Sequence, residues 1–471
     1  VVFSSLQFIF IFLPAFLLVY YLVPDRWRNT VLFAGSMAFY LVGAWHEPIY
    51  VVFLLIAVLF NYFCGILLEG GKYRKFWLIV GLVFDLGWLF VFKYADFLIG
   101  GINRIIHAAS ATAAGIQTLD LTLPIGISFY TFQSVSYLID VYRGDVHAES
   151  NFINYGAYLT MFPQLIAGPI VKYQTVQERL QRRNYSFFQL VDGFKVFICG
   201  LGLKVLLANR LAGLWGSMEA IGYDYVSTPL AWCGILAYTF EIYFDFFGYS
   251  LMAIGLGRML GFEFPQNFNH PYLSLSMTEF WRRWHMTLGS WFRDYVYIPL
   301  GGNRCSRPRM YFNLFVVWAL TGLWHGAHMN FVLWGLVTFV LIAIEKAGWL
   351  DILERHRWAG HLYMFFVLAV MWSLFAITDF HDIGHFLARL FPIFGHFSAG
   401  AVHPGAAFGR LFRQYWIFLL LGFCFSTQVP YRLYEKVKDN IIGTAFLLAV
   451  FWGSVYCIYK GMNDPFLYFR F

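Results

Sequence analysis

Charge is what this sequence has least of. Its 33 Lys and Arg and 26 Asp and Glu make up 13% of 471 residues, about half the roughly 25% of an ordinary soluble domain. So few charges cannot cover a water-exposed surface, whereas a chain solvated by lipid does not need them. Cysteine is scarce as well. There are six, with no CxxC and no Cys/His zinc spacing, which excludes a disulfide-framed secreted module and leaves those in apolar segments as packing residues. Phosphate-binding signatures are missing. No Walker A string occurs, and Gly255-Leu-Gly257-Arg-Met-Leu-Gly261 has one residue too many for a dinucleotide fingerprint. That argues against an ATP-driven pump. The net charge of +7 forms no long basic run or aromatic-interleaved stripe, so no nucleic acid partner is implied.

What fills the chain instead is apolar: 60% hydrophobic and 21% aromatic residues. Disorder is excluded, and the class is an all-α polytopic membrane protein, read as one membrane domain over residues 1–471. A helix needs about 20 mostly apolar residues to cross the hydrocarbon. About eleven stretches are candidates, several of them shorter than a full span and interrupted by Gly or Pro: 6–23, 30–45, 49–68, 76–92, 188–207, 229–247, 311–324, 330–344, 360–377, 415–428 and 441–459. The first has no basic flank and no small-residue cleavage site, so it does not read as a removable signal. Three further stretches, 121–142, 158–173 and 291–302, are apolar but interrupted by Pro, Gly and polar pairs. Broken backbone at membrane depth survives only where protein or a wet cavity satisfies it, so they read as half-helices or re-entrant loops around a central tunnel. Ordinary Pro-kinked helices are the alternative. Basic residues at Arg26, Arg28, Lys72, Arg74 and Lys75 place the N-terminus outside and the loop 100–118 outside as well.

Charges inside apolar runs mark cavities or ion pairs. Asp85, Lys93, Asp192, Lys195, Lys204, Glu241 and Asp245 are such charges. Glu241 and Asp245 share a helical face, with Arg282 and Arg283 as expected partners. Either a proton or substrate site or a buried ion-pair network accounts for them. The densest polar string, PYLSLSMTEFWRRWHMTLGSWFRDYVYIPLGGNR at 271–304, carries Arg282, Arg283, His285 and Arg304 among aromatics. It suits a membrane-water boundary, where guanidinium groups meet phosphates, or a plain amphipathic interfacial helix. In LTGLWHGAHMN at 320–330, His325 follows an apolar run and His328 lies one turn on, nearly on the same face. A neutral buried imidazole is a natural general base, although a membrane His often only bonds neighbouring helices. No metal is expected, because HGAH lacks the Glu of HExxH and a third ligand.

Longer strings carry a family resemblance. VFSSL at the start, LPIGISFYTFQSVSYLIDVYRGD at 123–145, MFPQLIAGPIVKY at 161–173 and IYFDFFGYSLMAIGLG at 242–257 belong to it. So do EFWRRWHMTLGSWFRDYVYIPLGGNR at 279–304, LTGLWHGAHMNFVLWG at 320–335 and NDPFLYFRF at 463–471. Together the chain resembles the membrane-bound O-acyltransferase (MBOAT) family, in its bacterial alginate O-acetyltransferase-like branch, related to the D-alanyl transfer proteins. One departure is Phe247-Gly-Tyr-Ser250-Leu251, where the branch reads Ser-Gly-Tyr-Ser-Asp. The resemblance implies an O-acyltransferase with His325 and His285 at a tunnel through the inner membrane. It also implies acetyl-CoA as donor, held at the inner mouth by Lys172, Arg282, Arg283 and Arg304. The acceptor would be an exported polysaccharide, reached directly or through an extracytoplasmic partner protein. Two rivals stand beside it: D-alanyl transfer from a carrier protein, and a non-enzymatic glycan exporter.

Overall fold

The computed structural model describes residues 2–110, 114–183, 185–392, 404–462 and 467. Most of the string at 463–471 therefore lies outside the described residues. The first helices are α1 (Leu13–Leu22), α2 (Arg28–Gly43), α3 (Ile49–Gly70), α4 (Arg74–Ala109), α5 (Ile127–Arg143), α6 (Phe152–Thr160), α7 (Phe162–Leu165) and α8 (Tyr173–Gln181). Next come α9 (Phe187–Gly202), α10 (Asn209–Glu219), α11 (Thr228–Met259), α12 (Met277–Arg283), α13 (Met286–Phe292), α14 (Arg307–His325) and α15 (Met329–Ile344). The last are α16 (Leu350–Arg355), α17 (Arg357–Ala376), α18 (Phe380–Leu390), α19 (Pro404–Ser426), α20 (Val429–Val437) and α21 (Ile441–Tyr459). Every one of the eleven apolar stretches is helical, and no strand occurs among the described residues. Among the described residues, six helical segments are long and apolar enough, by length and composition, to cross a membrane. The chain is an all-α polytopic membrane protein.

Two compact units form, one of Val1–Phe194 with Ala253–Pro265 and the other of Lys195–Met252 with Gln266–Phe471. In the first, aromatic side chains recur every fourth residue at Phe8, Phe12, Phe16 and Tyr20. That spacing stacks them along one helical face, with centroids 5.6, 5.7 and 5.8 Å apart. Phe162 meets the Phe12 ring edge-on at 5.4 Å. The break between α6 and α7 falls at Met161, φ −48 and ψ 110, because Pro163 has no N–H to continue the ladder. The half-helix expectation therefore holds for 158–173, which is buried almost throughout. It holds only in part for 121–142, whose residues from Ile127 onward form the continuous buried helix α5. Gly126, at φ 75, starts that helix, and a Cβ there would lie 2.3 Å from the Leu165 carbonyl oxygen. The expected loop at 100–118 is helix as far as Ala109. No Pro interrupts it, and Gly100 and Gly101 are tolerated without ending α4.

The second unit is held by close helix contacts and buried polar ties. Gly322 and Gly335 let α14 and α15 touch: a Cβ on either would lie 2.5 Å from a backbone oxygen of the other helix. Glu345, 1% exposed, follows α15 and caps α12. It accepts from Met277 N at 2.7 Å, Thr278 N at 2.8 Å, Thr278 Oγ1 at 2.7 Å and Tyr363 Oη at 3.0 Å. A carboxylate there satisfies orphan N–H groups and meets the positive end of α12. Asn330 donates to the carbonyls of Leu374 at 3.1 Å and Phe375 at 3.3 Å, tying α15 to the end of α17.

Candidate active site

His325 is the last residue of α14 and is 5% exposed. Gly326, extended at φ −174 and ψ 160, ends the helix there, and any Cβ at that position would lie 2.4 Å from the Phe331 ring. His328 consequently does not continue the His325 face. It is exposed, in extended backbone before α15, so the pairing of the two histidines on one helix is corrected. The His325 imidazole stands edge-on to Trp334 at 5.1 Å, Phe375 at 5.2 Å and Trp324 at 5.0 Å. It forms part of the wall of a cavity with Trp281, Trp284, Trp334, Trp372 and Phe375. About 20 Å³ of that cavity is open to the centre of a water molecule, room for a single water.

His285 takes the left-handed conformation, φ 42 and ψ 52, between α12 and α13. A non-glycine residue held there carries local strain, and neighbouring contacts must hold it. Asn267 does so. Its backbone carbonyl accepts from Met286 N at 2.9 Å, and its Oδ1 accepts from Thr287 Oγ1 at 2.8 Å and from Thr287 N at 3.4 Å. With Oδ1 thus placed as an acceptor, His285 Nδ1, 3.0 Å away, is the donor. Asn267 Nδ2 in turn donates to Ser250 Oγ at 3.1 Å. The His285 ring is 2% exposed, and its Nε2 has no hydrogen-bond partner. Phe246, a wall residue of the cavity, meets the ring edge-on at 4.6 Å. Trp324 lies 5.9 Å from it by ring centroids and so touches both histidines.

The basic candidates divide. Arg282 and Arg304 are exposed. Arg283 is engaged by Glu279 at 2.8 Å, one turn back on α12. Lys172 precedes α8 in the first unit. The expected pairing of Asp245 with Arg282 or Arg283 is also corrected. Asp245 forms a buried ion pair with Lys204 and accepts from Leu467 N at 2.7 Å. Helix packing explains the choice: Gly200 and Gly248 bring α9 against α11 (a Cβ on Gly248 would lie 2.7 Å from Gly200 O), which sets Lys204 beside Asp245. Ion pairs also take Asp192, with Arg258 at 2.5 Å, and Lys195, with Asp439 at 2.7 Å. The ion-pair reading accounts for these residues. Among the described residues, one group has ligand atoms close enough for a metal: Asp379, His381 and Asp382. Its Asp379 carboxylate already caps α18, accepting from His381 N at 2.8 Å.

Sequence reasoning missed Asn267, Ser250 and Thr287, although an Asn in the apolar run FPQNF was a signal. Trp281 and Trp284, among the aromatics of the 271–304 string, form part of the cavity wall. Nothing local marks Phe375 as a neighbour of His325.

A buried histidine in an aromatic enclosure, with a second one held in a fixed orientation nearby, suits acyl-transfer chemistry within a membrane. Residues 146–350 match the MBOAT, membrane-bound O-acyltransferase family. The "Probable alginate O-acetylase AlgI" of Pseudomonas putida is 37% identical over the full length of both chains. Its namesake in Pseudomonas aeruginosa is 43% identical over 79% of this chain and 72% of its own. The "Peptidoglycan O-acetyltransferase" of Helicobacter pylori is 33% identical over 100% of this chain and 97% of its own. The chain belongs to the membrane-bound O-acyltransferase family. It is an O-acyltransferase, and its likeness is to the AlgI branch.

Proposed function

We propose that the protein moves an acetyl group from cytoplasmic acetyl-CoA across the bacterial inner membrane for O-acetylation of an exported polysaccharide such as alginate or cellulose. Transfer runs directly or through an extracytoplasmic acetyltransferase partner. The observation that carries the reading is His325, a buried imidazole on the wall of a narrow, mainly aromatic cavity. Acyl transfer from a thioester needs a base for the acceptor hydroxyl and a dry site in which the acyl group escapes hydrolysis. His325 supplies the base. The aromatic wall supplies the dryness, and with room for one water it must part to admit the acyl group. His285 accepts through Nε2 from a hydroxyl of the acceptor sugar beside the reacting one, because its Nδ1 proton is committed to Asn267. Arg282 and Arg304, exposed and always charged, suit the phosphates of coenzyme A. Arg283 gives its charge first to Glu279.

Peptidoglycan is a second acceptor, favoured by the full-length similarity to the Helicobacter pylori protein. Membrane vesicles carrying the full chain are given [1-14C]acetyl-CoA with mannuronate oligomers or with peptidoglycan. Label in the mannuronate ester fraction supports alginate, label in the muropeptides supports the second acceptor, and label in neither contradicts direct transfer to these two acceptors. A D-alanyl-loaded carrier protein replacing acetyl-CoA as the effective donor would overturn the acetyl assignment.

A further inference from the structure

Nε1 of Trp281 and Nε1 of Trp334 are both buried, and neither has a hydrogen-bond partner. Trp334 is 1% exposed, and buried indole N–H groups ordinarily find an acceptor. The two rings meet edge-on with centroids 5.3 Å apart, and Trp334 meets His325 edge-on at 5.1 Å. All three residues contribute to the wall of the same cavity. The carboxylate in that wall, Asp245, is engaged by Lys204 and by Leu467 N. The remaining wall is mainly aromatic, so Trp281 and Trp334 bring two unsatisfied indole N–H donors to a cavity with few acceptors of its own. The space open there, about 20 Å³, admits one water-sized atom, the size of a carbonyl oxygen.

We propose that Trp334 and Trp281 form an indole oxyanion hole, donating their Nε1–H groups to the carbonyl oxygen of the acyl donor as negative charge develops on it. The assignment rests on the acetyl-transfer reading above and adds the groups that stabilise its transition state. In the step, the acceptor hydroxyl oxygen forms the new C–O bond to the thioester carbon and its proton passes to His325. The carbonyl π pair moves onto oxygen, where the two indole N–H groups hold it. Collapse of the intermediate restores the carbonyl and breaks the C–S bond. The departing thiolate takes the proton back from His325, leaving an ester and a thiol. Donors aimed at the developing charge in a water-excluded site act on the transition state more than on bound substrate.

Trp334→Phe and Trp281→Phe keep an aromatic ring and remove only the indole N–H and its ring. In vesicles with [1-14C]acetyl-CoA and mannuronate oligomers, Trp334→Phe is expected to lower kcat about 10²- to 10³-fold with little change in KM. The Trp281→Phe/Trp334→Phe double variant falls further. His325→Ala runs in parallel: full activity in that variant sinks the acetyl-transfer reading, whereas wild-type kcat in Trp334→Phe with inactive His325→Ala sinks only the oxyanion hole. A second measurement needs no turnover. With a 13C-carbonyl ketone analogue of acetyl-CoA bound to the full-length protein, the carbonyl infrared stretch is expected at lower frequency in wild type than in Trp334→Phe. Identical stretches in the two proteins would overturn the assignment, and mark Trp334 as a packing residue.

Discussion

Replacing Asn267 by Asp tests how His285 is held. The substitution is nearly isosteric, so the contacts from Thr287 and Met286 can persist, but the acceptor 3.0 Å from His285 Nδ1 becomes a carboxylate. An opposite charge in hydrogen-bond contact favours the protonated imidazole and raises its pKa by about 1–3 units. In the sign that follows, neutral His285 with a free Nε2 lone pair exists only at higher pH in the variant. If the acceptor sugar is oriented by that lone pair, through a hydroxyl beside the reacting one, the acid limb of the pH profile for acetyl transfer moves up by about 1–3 units. At pH above the shifted limb, the rate returns towards the wild-type plateau. Asn267→Ala behaves differently. It strands three donors, and an unmade buried hydrogen bond costs about 1–3 kcal/mol for each group left unpaired, so this variant loses stability as well as rate. The assay is initial-rate transfer of label from [1-14C]acetyl-CoA in vesicles between acid and alkaline pH, at matched protein levels. An acid limb in Asn267→Asp that coincides with wild type would refute the argument, because a merely structural Asn267 could lower the rate but could not move the limb.

Two further predictions concern the frame around the site. Glu345→Ala removes a carboxylate that accepts from Met277 N, Thr278 N, Thr278 Oγ1 and Tyr363 Oη. It should destabilise the detergent-solubilised protein by about 3–5 kcal/mol, seen as a lowered Tm by fluorescence-detected size exclusion, with Gln at this position milder. An unchanged Tm in the Ala variant would count against Glu345 as the cap of α12. Lys204→Met alone strands the buried Asp245 carboxylate and should cost about 3–5 kcal/mol, whereas Lys204→Met with Asp245→Leu should recover much of that loss. A double variant no more stable than the single one would show that the pair is not coupled as the structure has it.

Much of the fold was legible because its signals are local. Eleven apolar stretches predict helices, and helices form at each, since 18 or so apolar residues have few other ways to satisfy their backbone in lipid. Pro163 announced the break at Met161 in the same local way. Helix ends were harder. The turn at Gly326 hides inside an apolar string, so His328 looked like a partner of His325 although the chain has already left the helix. Of the site, both histidines stood out because polar side chains are rare in such surroundings. Their supports did not, because they come from distant stretches. Asn267 reaches His285 across 18 positions, and Asn330 fixes Phe375 across 45. The partner of Asp245 was misjudged for the same reason: Arg282 and Arg283 were plausible by charge, but glycine contacts between α9 and α11 bring Lys204 instead.

The central claim is that a single buried imidazole, His325, serves as the base of acetyl transfer. Its direct test is label transfer from [1-14C]acetyl-CoA in vesicles carrying wild type, His325→Ala or His328→Ala at equal abundance and equal Tm. The account predicts a loss of about 10²- to 10⁴-fold in His325→Ala, with near wild-type transfer in His328→Ala, whose side chain is exposed and leaves the cavity wall intact. Transfer by His325→Ala at the wild-type rate would contradict it.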